Sequence, residues 1–205
     1  MAHLLRIDSG SRVEGSHSRA VADAAQHAWL AAHPSGTVAT RDVADGTIPV
    51  VAQDTIVGFY TPPEAMTPAL RAATALSDRL IAELQVADTL LISAPVYSFG
   101  VPASLKLWID QVVRIGHTFA HDGHAFTGLA RPGRAILCWA YGAAGYRPGR
   151  PFEAANGLDP YLAFLIRFLG IEDVRLVAVG ATTADEATVR AGVAAALDDG
   201  GRIAA

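Results

Sequence analysis

The sequence predicts an α/β fold: a doubly wound, five-stranded parallel sheet with helices on both faces. Three observations carry this. Short runs rich in Val, Ile and Leu alternate with longer amphipathic segments along the chain, the pattern of successive β-loop-α units. The run Thr89-Leu90-Leu91-Ile92 has no polar face, as a strand covered on both sides requires. The 205 residues are 51% hydrophobic and 18% charged, enough to bury the core of one domain spanning residues 1–205.

The first unit pairs a strand from His3 to Ile7, ending at Asp8, with a helix from Ser16 to about His33, where Ala, Val, Trp29 and Leu30 recur at helical intervals. Thr37 to Val43 alternates as the second strand. Asp45 to Pro63, rich in Asp, Gly and Pro, reads as an irregular connection whose Ile48, Val50, Val51, Ile56, Val57 and Phe59 cover part of the core. Met66 to Gln85 is a long helix with a start signal at Thr67-Pro68, and Asp88 to Ser93 is the third strand. Pro102 opens the next helix, whose stripe of Leu105, Ile109, Val112 and Val113 faces inward, with Lys106, Asp110 and Arg114 opposite. Strand four runs from Arg134 to Ala140 and leads into a Gly-rich segment, Gly142 to Gly157. Helix Pro160 to Gly170, strand Val174 to Val179 and helix Ala184 to Asp198 complete a flavodoxin-like count.

Charge and cysteine content narrow the function. The net charge is −4 with no run of Lys or Arg, so the electrostatic footprint of nucleic acid is absent and a small-molecule substrate is expected. A single cysteine, Cys138, allows no internal disulfide and lies in an apolar strand as a buried structural thiol. No secretory leader and no apolar run of membrane-span length is seen, so no membrane association and a cytoplasmic location are expected.

Three loops at carboxyl ends of strands carry candidate chemistry. Asp8 to Arg19 offers Ser9, Ser11, Ser16 and Ser18 beside a helix N-terminus, whose free N–H groups suit a phosphate monoester. It matches neither a Walker loop nor a dinucleotide fingerprint, and it also reads as an ordinary Ser-capped helix. Tyr97-Ser98-Phe99 after strand three is a candidate wall for a flat ligand, or packing beneath the next helix. Ala140-Tyr141-Gly142-Ala143-Ala144-Gly145-Tyr146 after strand four lets backbone N–H groups approach a planar ring. Together the three favour a mononucleotide cofactor site. His121-Asp122-Gly123-His124 lacks a further ligand pattern and reads as a polar loop with no metal, and no Gly-x-Ser-x-Gly elbow is present.

These residues carry a resemblance. Ser9 with Ser16-His17-Ser18, then Pro95-Val96-Tyr97-Ser98-Phe99-Gly100-Val101-Pro102-x-x-Leu105-Lys106, Gly116-His117-Thr118-Phe119, Gly128-Leu129 and Tyr161 to Ile171 resemble the FMN-dependent NADH:quinone oxidoreductases, also called FMN-dependent azoreductases. The likeness runs nearly end to end, and its Pro-x-Tyr-x-Phe-x-x-Pro-x-x-Leu-Lys block is the most specific part.

The resemblance implies a flavodoxin-like homodimer with one FMN per subunit. It implies two-electron, ping-pong reduction of quinones and azo compounds, with NADH or NADPH as donor. It places the FMN phosphate on Ser9, Gly10, Ser16, His17 and Ser18. The isoalloxazine falls against Pro95, Val96, Tyr97, Ser98 and Phe99 and against Ala140, Tyr141, Gly142 and Ala143. Phe119, His121 and Phe126 are the substrate-side candidates, partly across the dimer interface. No side chain is expected to be catalytic, because hydride transfer is the flavin's own chemistry. The chain departs from the family pattern at Ser98, where Asn is common, and at Ala140 to Ala143, where Ser-Arg-Gly-Gly is common. Gly10 stands where a second Ser is common. A flavodoxin-type electron carrier and an NADPH-dependent reductase of flavins or metals share this fold and remain alternatives.

Overall fold

The computed structural model describes residues 1–204. Five parallel strands, β1 (His3–Asp8), β2 (Thr37–Asp42), β3 (Thr89–Pro95), β6 (Arg134–Ala140) and β7 (Asp173–Val179), form one sheet in the order β2-β1-β3-β6-β7. Numbered within this sheet alone, that order is 2-1-3-4-5, whose reversal beside the first strand opens a crevice at the carboxyl ends. Its helices are α1 (His17–Ala32), α2 (Gln53–Tyr60), α3 (Pro68–Val86), α4 (Ala103–Val112), α5 (Asp159–Phe168) and α6 (Glu186–Ala204).

The side-chain period of two divides the core into two halves. On one face, Leu5, Ile7, Leu90, Ile92, Leu137 and Trp139 pack with apolar residues of α3, α4 and α5. On the other, Leu4, Leu91, Ile136, Cys138 and Val177 pack with Val21, Ala22, Ala25 and Trp29 of α1 and Ala196 of α6. Both faces of the central strands are thereby dry, as the apolar run at residues 89–92 predicts.

Two segments differ from the sequence reading. The expected irregular connection 45–63 contains α2, whose N-cap Ala52 offers no side-chain acceptor and so gives no start signal. Tertiary packing makes this helix: a Cβ at Gly58 would stand 2.5 Å from Thr74 Cγ2, so only glycine lets α2 lie this close to α3. Between α4 and β6, the loop folds into a short antiparallel hairpin, β4 (Phe119–His121) with β5 (Phe126–Gly128). Three-residue strands are too short to show a period. The hairpin is held where Gly128 meets Gly170 backbone to backbone: a Cβ on Gly128 would lie 2.1 Å from the Gly170 nitrogen. Among the described residues, no helix is long and apolar enough to cross a membrane.

Candidate functional site: a cleft at the carboxyl end of the sheet

A cleft of about 250 Å³ opens at the carboxyl ends of the strands. It is lined by Gly10, Arg12, Ser16, His17 and Ser18 after β1, Pro95, Val96 and Tyr97 after β3, Ala140 and Gly142 after β6, and Thr182 and Thr183 after β7. Nine of the residues singled out in the sequence therefore meet in one place, from three loops far apart in the chain.

The first wall is a helix start. Ser16 caps α1, its Oγ accepting from the Arg19 N–H at 3.4 Å. The N–H groups of His17 and Ser18, at the first two helical positions, have no intrahelical acceptor by geometry and carry the positive end of the helix dipole. The Ser18 Oγ lies 3.4 Å from that of Ser16. Behind this wall, the Arg19 guanidinium donates to the Gly10 carbonyl at 2.9 Å and to Asp42 at 2.7 Å, and it reaches the buried Asp8 at 3.4 Å. Arg6 also donates through Nε to both Asp8 oxygens at 3.1 Å. The loop is therefore fixed by buried ion pairs before any ligand arrives. At Gly10, a Cβ would press on Pro95 Cδ at 3.3 Å and approach Ser16 Oγ at 3.8 Å, so the absent side chain leaves the space of the cradle.

The second wall is a strained turn. Tyr97 and Gly100 are bridged, with the Gly100 N–H donating to the Tyr97 carbonyl at 3.0 Å. The two central residues both take left-handed backbone angles, Ser98 at φ 46 and Phe99 at φ 67. Asn tolerates that conformation better than Ser, which gives a physical reason for the Asn common at the Ser98 position in the family pattern. Phe99 is held there by its carbonyl, which accepts from the Gly157 N–H at 2.8 Å. The turn touches the first wall through Tyr97, whose hydroxyl accepts from the Ser11 N–H at 3.3 Å. Ser98 and Phe99 are exposed beyond the cleft lining.

The third wall follows β6. Ala140 and Gly142 face the cleft, but Tyr141 turns into the protein, 2% exposed, and its hydroxyl donates to the Asp159 carboxylate. Burial first, then that bond, push the Tyr141 phenol well above the ordinary tyrosine range. Ala143 is exposed outside the lining. Ser9 also lies beneath the cleft rather than in it. It is fully buried, and its Oγ donates to the Ser93 carbonyl at 2.8 Å, so its proton serves the β1–β3 joint. Cys138 is sealed in the core, and burial pushes its thiol up to about 12.

Phe119, His121 and Phe126 are not brought to this cleft within one chain. They sit at the opposite pole with Phe168, where α5 runs down to the amino end of β7; Phe119 and Phe168 are 5.0 Å apart between ring centres, and His121 and Phe126 4.4 Å. Gln85, at the end of α3, donates to the His117 and Leu129 carbonyls and fixes the hairpin at that pole. Thr182 and Thr183 escaped the sequence reading. Ala181 before them adopts φ 57, and its neighbour Gly180 was the local signal that β7 ends in a tight turn.

The fold and the cleft define a class: a doubly wound α/β protein whose cleft is lined by a serine-bearing helix N-terminus after its first strand and an aromatic turn after its third. A family model described as flavodoxin-like fold matches residues 2–200. An FMN-dependent NADH:quinone oxidoreductase of Xanthobacter autotrophicus is 48% identical over 176 residues, covering 86% of this chain and 85% of that protein. FMN-dependent NADH:quinone oxidoreductase 1 of Pseudomonas fluorescens is 40% identical over 201 residues, covering 96% of this chain and 95% of that one. Among solved structures, an azoreductase from Bacillus anthracis superposes with a TM-score of 0.89 at 23% identity, over 100% of this chain and 99% of that one. At that identity, the superposition shows the fold alone. The chain belongs to the FMN-dependent NADH:quinone oxidoreductase family within the flavodoxin-like fold.

Proposed function

We infer that this chain is an FMN-dependent NADH:quinone oxidoreductase that also reduces azo compounds. The observation that carries the reading is the cleft itself: a helix N-terminus with two serine hydroxyls and a side-chain-free Gly10 at one end, and an aromatic turn and glycine loop at the other. The residues present fit FMN. Ser16, Ser18 and the N–H groups of His17 and Ser18 would hold its phosphate, with Arg12 adding positive charge at the rim. Pro95 to Phe99 and Ala140 to Ala143 would flank its ring. Ser9 serves this site by fixing the loop, since its hydroxyl proton is engaged.

When bound, FMN would supply the two-electron chemistry between the nicotinamide donor and the acceptor. The protein's part would be to bind the phosphate at the α1 N-terminus and flank the ring with the turns after β3 and β6. Donor and acceptor would then use the exposed side of the site in turn, the ping-pong order. In this reading no side chain is indispensable for the hydride transfer, which is the flavin's own chemistry.

At about 250 Å³ the cleft falls below the roughly 300–1,000 Å³ usual for a ligand site. A second copy supplies the missing wall in our reading. Exposed Phe126, with Phe119 and His121, lies too far from its own cleft and would serve a partner's in a homodimer. We place the protein in the cytoplasm as a single FMN-binding domain over residues 1–205, with NADPH as an alternative donor.

The test is direct. Purified protein supplied with FMN becomes yellow and is bleached anaerobically by NADH, and a benzoquinone or an azo dye restores the colour. Stable FMN without bleaching by NADH or NADPH would make it an electron carrier, and failure to take up FMN would remove the reading altogether.

A further inference from the structure

Thr182 and Thr183 do more than line the cleft. The Tyr141 carbonyl accepts from both the Thr182 N–H at 3.1 Å and the Thr182 hydroxyl at 3.0 Å. The Gly142 carbonyl accepts from the Thr183 N–H at 3.1 Å and the Thr183 hydroxyl at 2.9 Å. Two successive carbonyls are thus each held by two donors, both on the β7 side. The Tyr141 N–H is fixed on the same side, donating to the Val179 carbonyl at 2.8 Å.

A planar trans peptide points its N–H opposite to its C=O. With the carbonyls of Tyr141 and Gly142 pinned toward β7, the N–H groups of Gly142 and Ala143 turn the other way, toward the β3 side of the cleft where Pro95, Val96 and Tyr97 stand. Neither N–H has an acceptor among the described residues. Two neighbouring backbone N–H groups aimed the same way form a concavity for an anion. Nothing in the local sequence of the glycine loop imposes this arrangement, because Gly142 and the residues around it can take many conformations. The order is imposed from outside, by the turn after β7, whose Ala184 N–H closes on the Ala181 carbonyl at 3.0 Å.

We propose that Thr182 and Thr183 are positioning residues that lock the Gly142 and Ala143 N–H groups into a donor pair for the negative charge the ring takes on when it is reduced. The proposal rests on the FMN reading above. The pair is then ready before reduction and needs no rearrangement when charge appears, the condition under which fixed donors stabilise charge most. It also replaces, with neutral backbone, the cation that an Arg would bring to the position of Tyr141.

The test compares Thr182→Val, Thr183→Val and the double variant with the double Thr→Ser variant, which keeps both hydroxyls. Three quantities are read: affinity for oxidised FMN by flavin fluorescence, the two-electron midpoint potential of the bound flavin, and the melting temperature without flavin. The expected result is oxidised affinity within about threefold of the parent, with the double Val variant holding reduced FMN about tenfold less tightly relative to oxidised, a potential about 30 mV lower. Each single variant shifts by about threefold, or roughly 15 mV, and the double Ser variant keeps the parental potential. A merely structural role would lower the melting temperature and both affinities together and leave the potential in place. The proposal is overturned if the Val variants retain FMN at the parental potential, or if the Ser variant shifts as the Val variant does. A parent protein that takes up no FMN would instead overturn the functional reading, a distinct outcome.

Discussion

The Tyr141 hydroxyl donates to the Asp159 carboxylate, tying the loop after β6 to the first turn of α5 and turning the Tyr141 ring away from the cleft. The bond is part-buried and charge-assisted, so its loss is costly. Tyr141→Phe should cost about 1.5–3 kcal/mol, read as a lower urea midpoint with an unchanged slope.

The same pair sets an alkaline limit. The folded-state Tyr141 phenol is raised above its unfolded value, chiefly by burial and then by Asp159, so its contribution is complete below about pH 10 and is lost as pH rises beyond that. Melting curves between pH 8 and 11 should show the parent losing stability faster than Tyr141→Phe. Parallel curves would remove this assignment.

Arg19 holds the cradle from beneath, bridging Asp8, Asp42 and the Gly10 carbonyl with only 13% of its side chain exposed. Arg19→Met leaves the buried Asp8 with Arg6 alone and the part-exposed Asp42 without its partner, and should cost about 1–3 kcal/mol. FMN affinity should fall with it, because the loop is no longer fixed; calorimetric melting and a fluorescence titration check the two effects.

Gly10→Val probes the cradle without needing a positive φ. The added atoms stand in the space between Pro95 and Ser16, so the chain should fold with a near-parental far-UV spectrum yet bind FMN at least about tenfold more weakly, on the order of 1.4 kcal/mol. Parental FMN affinity in this variant would place the phosphate elsewhere.

Ser98 sits in the left-handed region at φ 46, where Asn is at less disadvantage. Ser98→Asn should raise stability by about 0.5–1 kcal/mol, and the β-branched Ser98→Val should lower it by about 1–2 kcal/mol. Differential scanning calorimetry of the two variants gives the sign.

The layered fold was legible because its cause is local. Dry strands such as Leu90 to Ile92, a helix capped by Thr67 with Pro68 in its first turn and a Ser-capped one at Ser16 announce themselves through period, hydropathy and caps. The cradle after β1 and the aromatic turn after β3 were legible for the same reason, since each is a contiguous stretch at a strand's end. Helix α2 was not, because Gly58 against Thr74 makes it through a contact outside its own segment, and neither was the hairpin, which depends on Gly128 meeting Gly170.

Within the site, the sequence by itself determined which loops meet, because a parallel sheet delivers every strand's carboxyl end to one edge. Only the tertiary structure decided what each residue does there. The Ser9 hydroxyl donates to the Ser93 carbonyl, Tyr141 points to Asp159, Phe119 and Phe126 lie at the far pole, and Thr182 and Thr183 close the fourth side. Each of these outcomes turns on the direction of a hydroxyl, a ring or a carbonyl. Direction is set by partners distant in sequence, and no spacing along the chain records it.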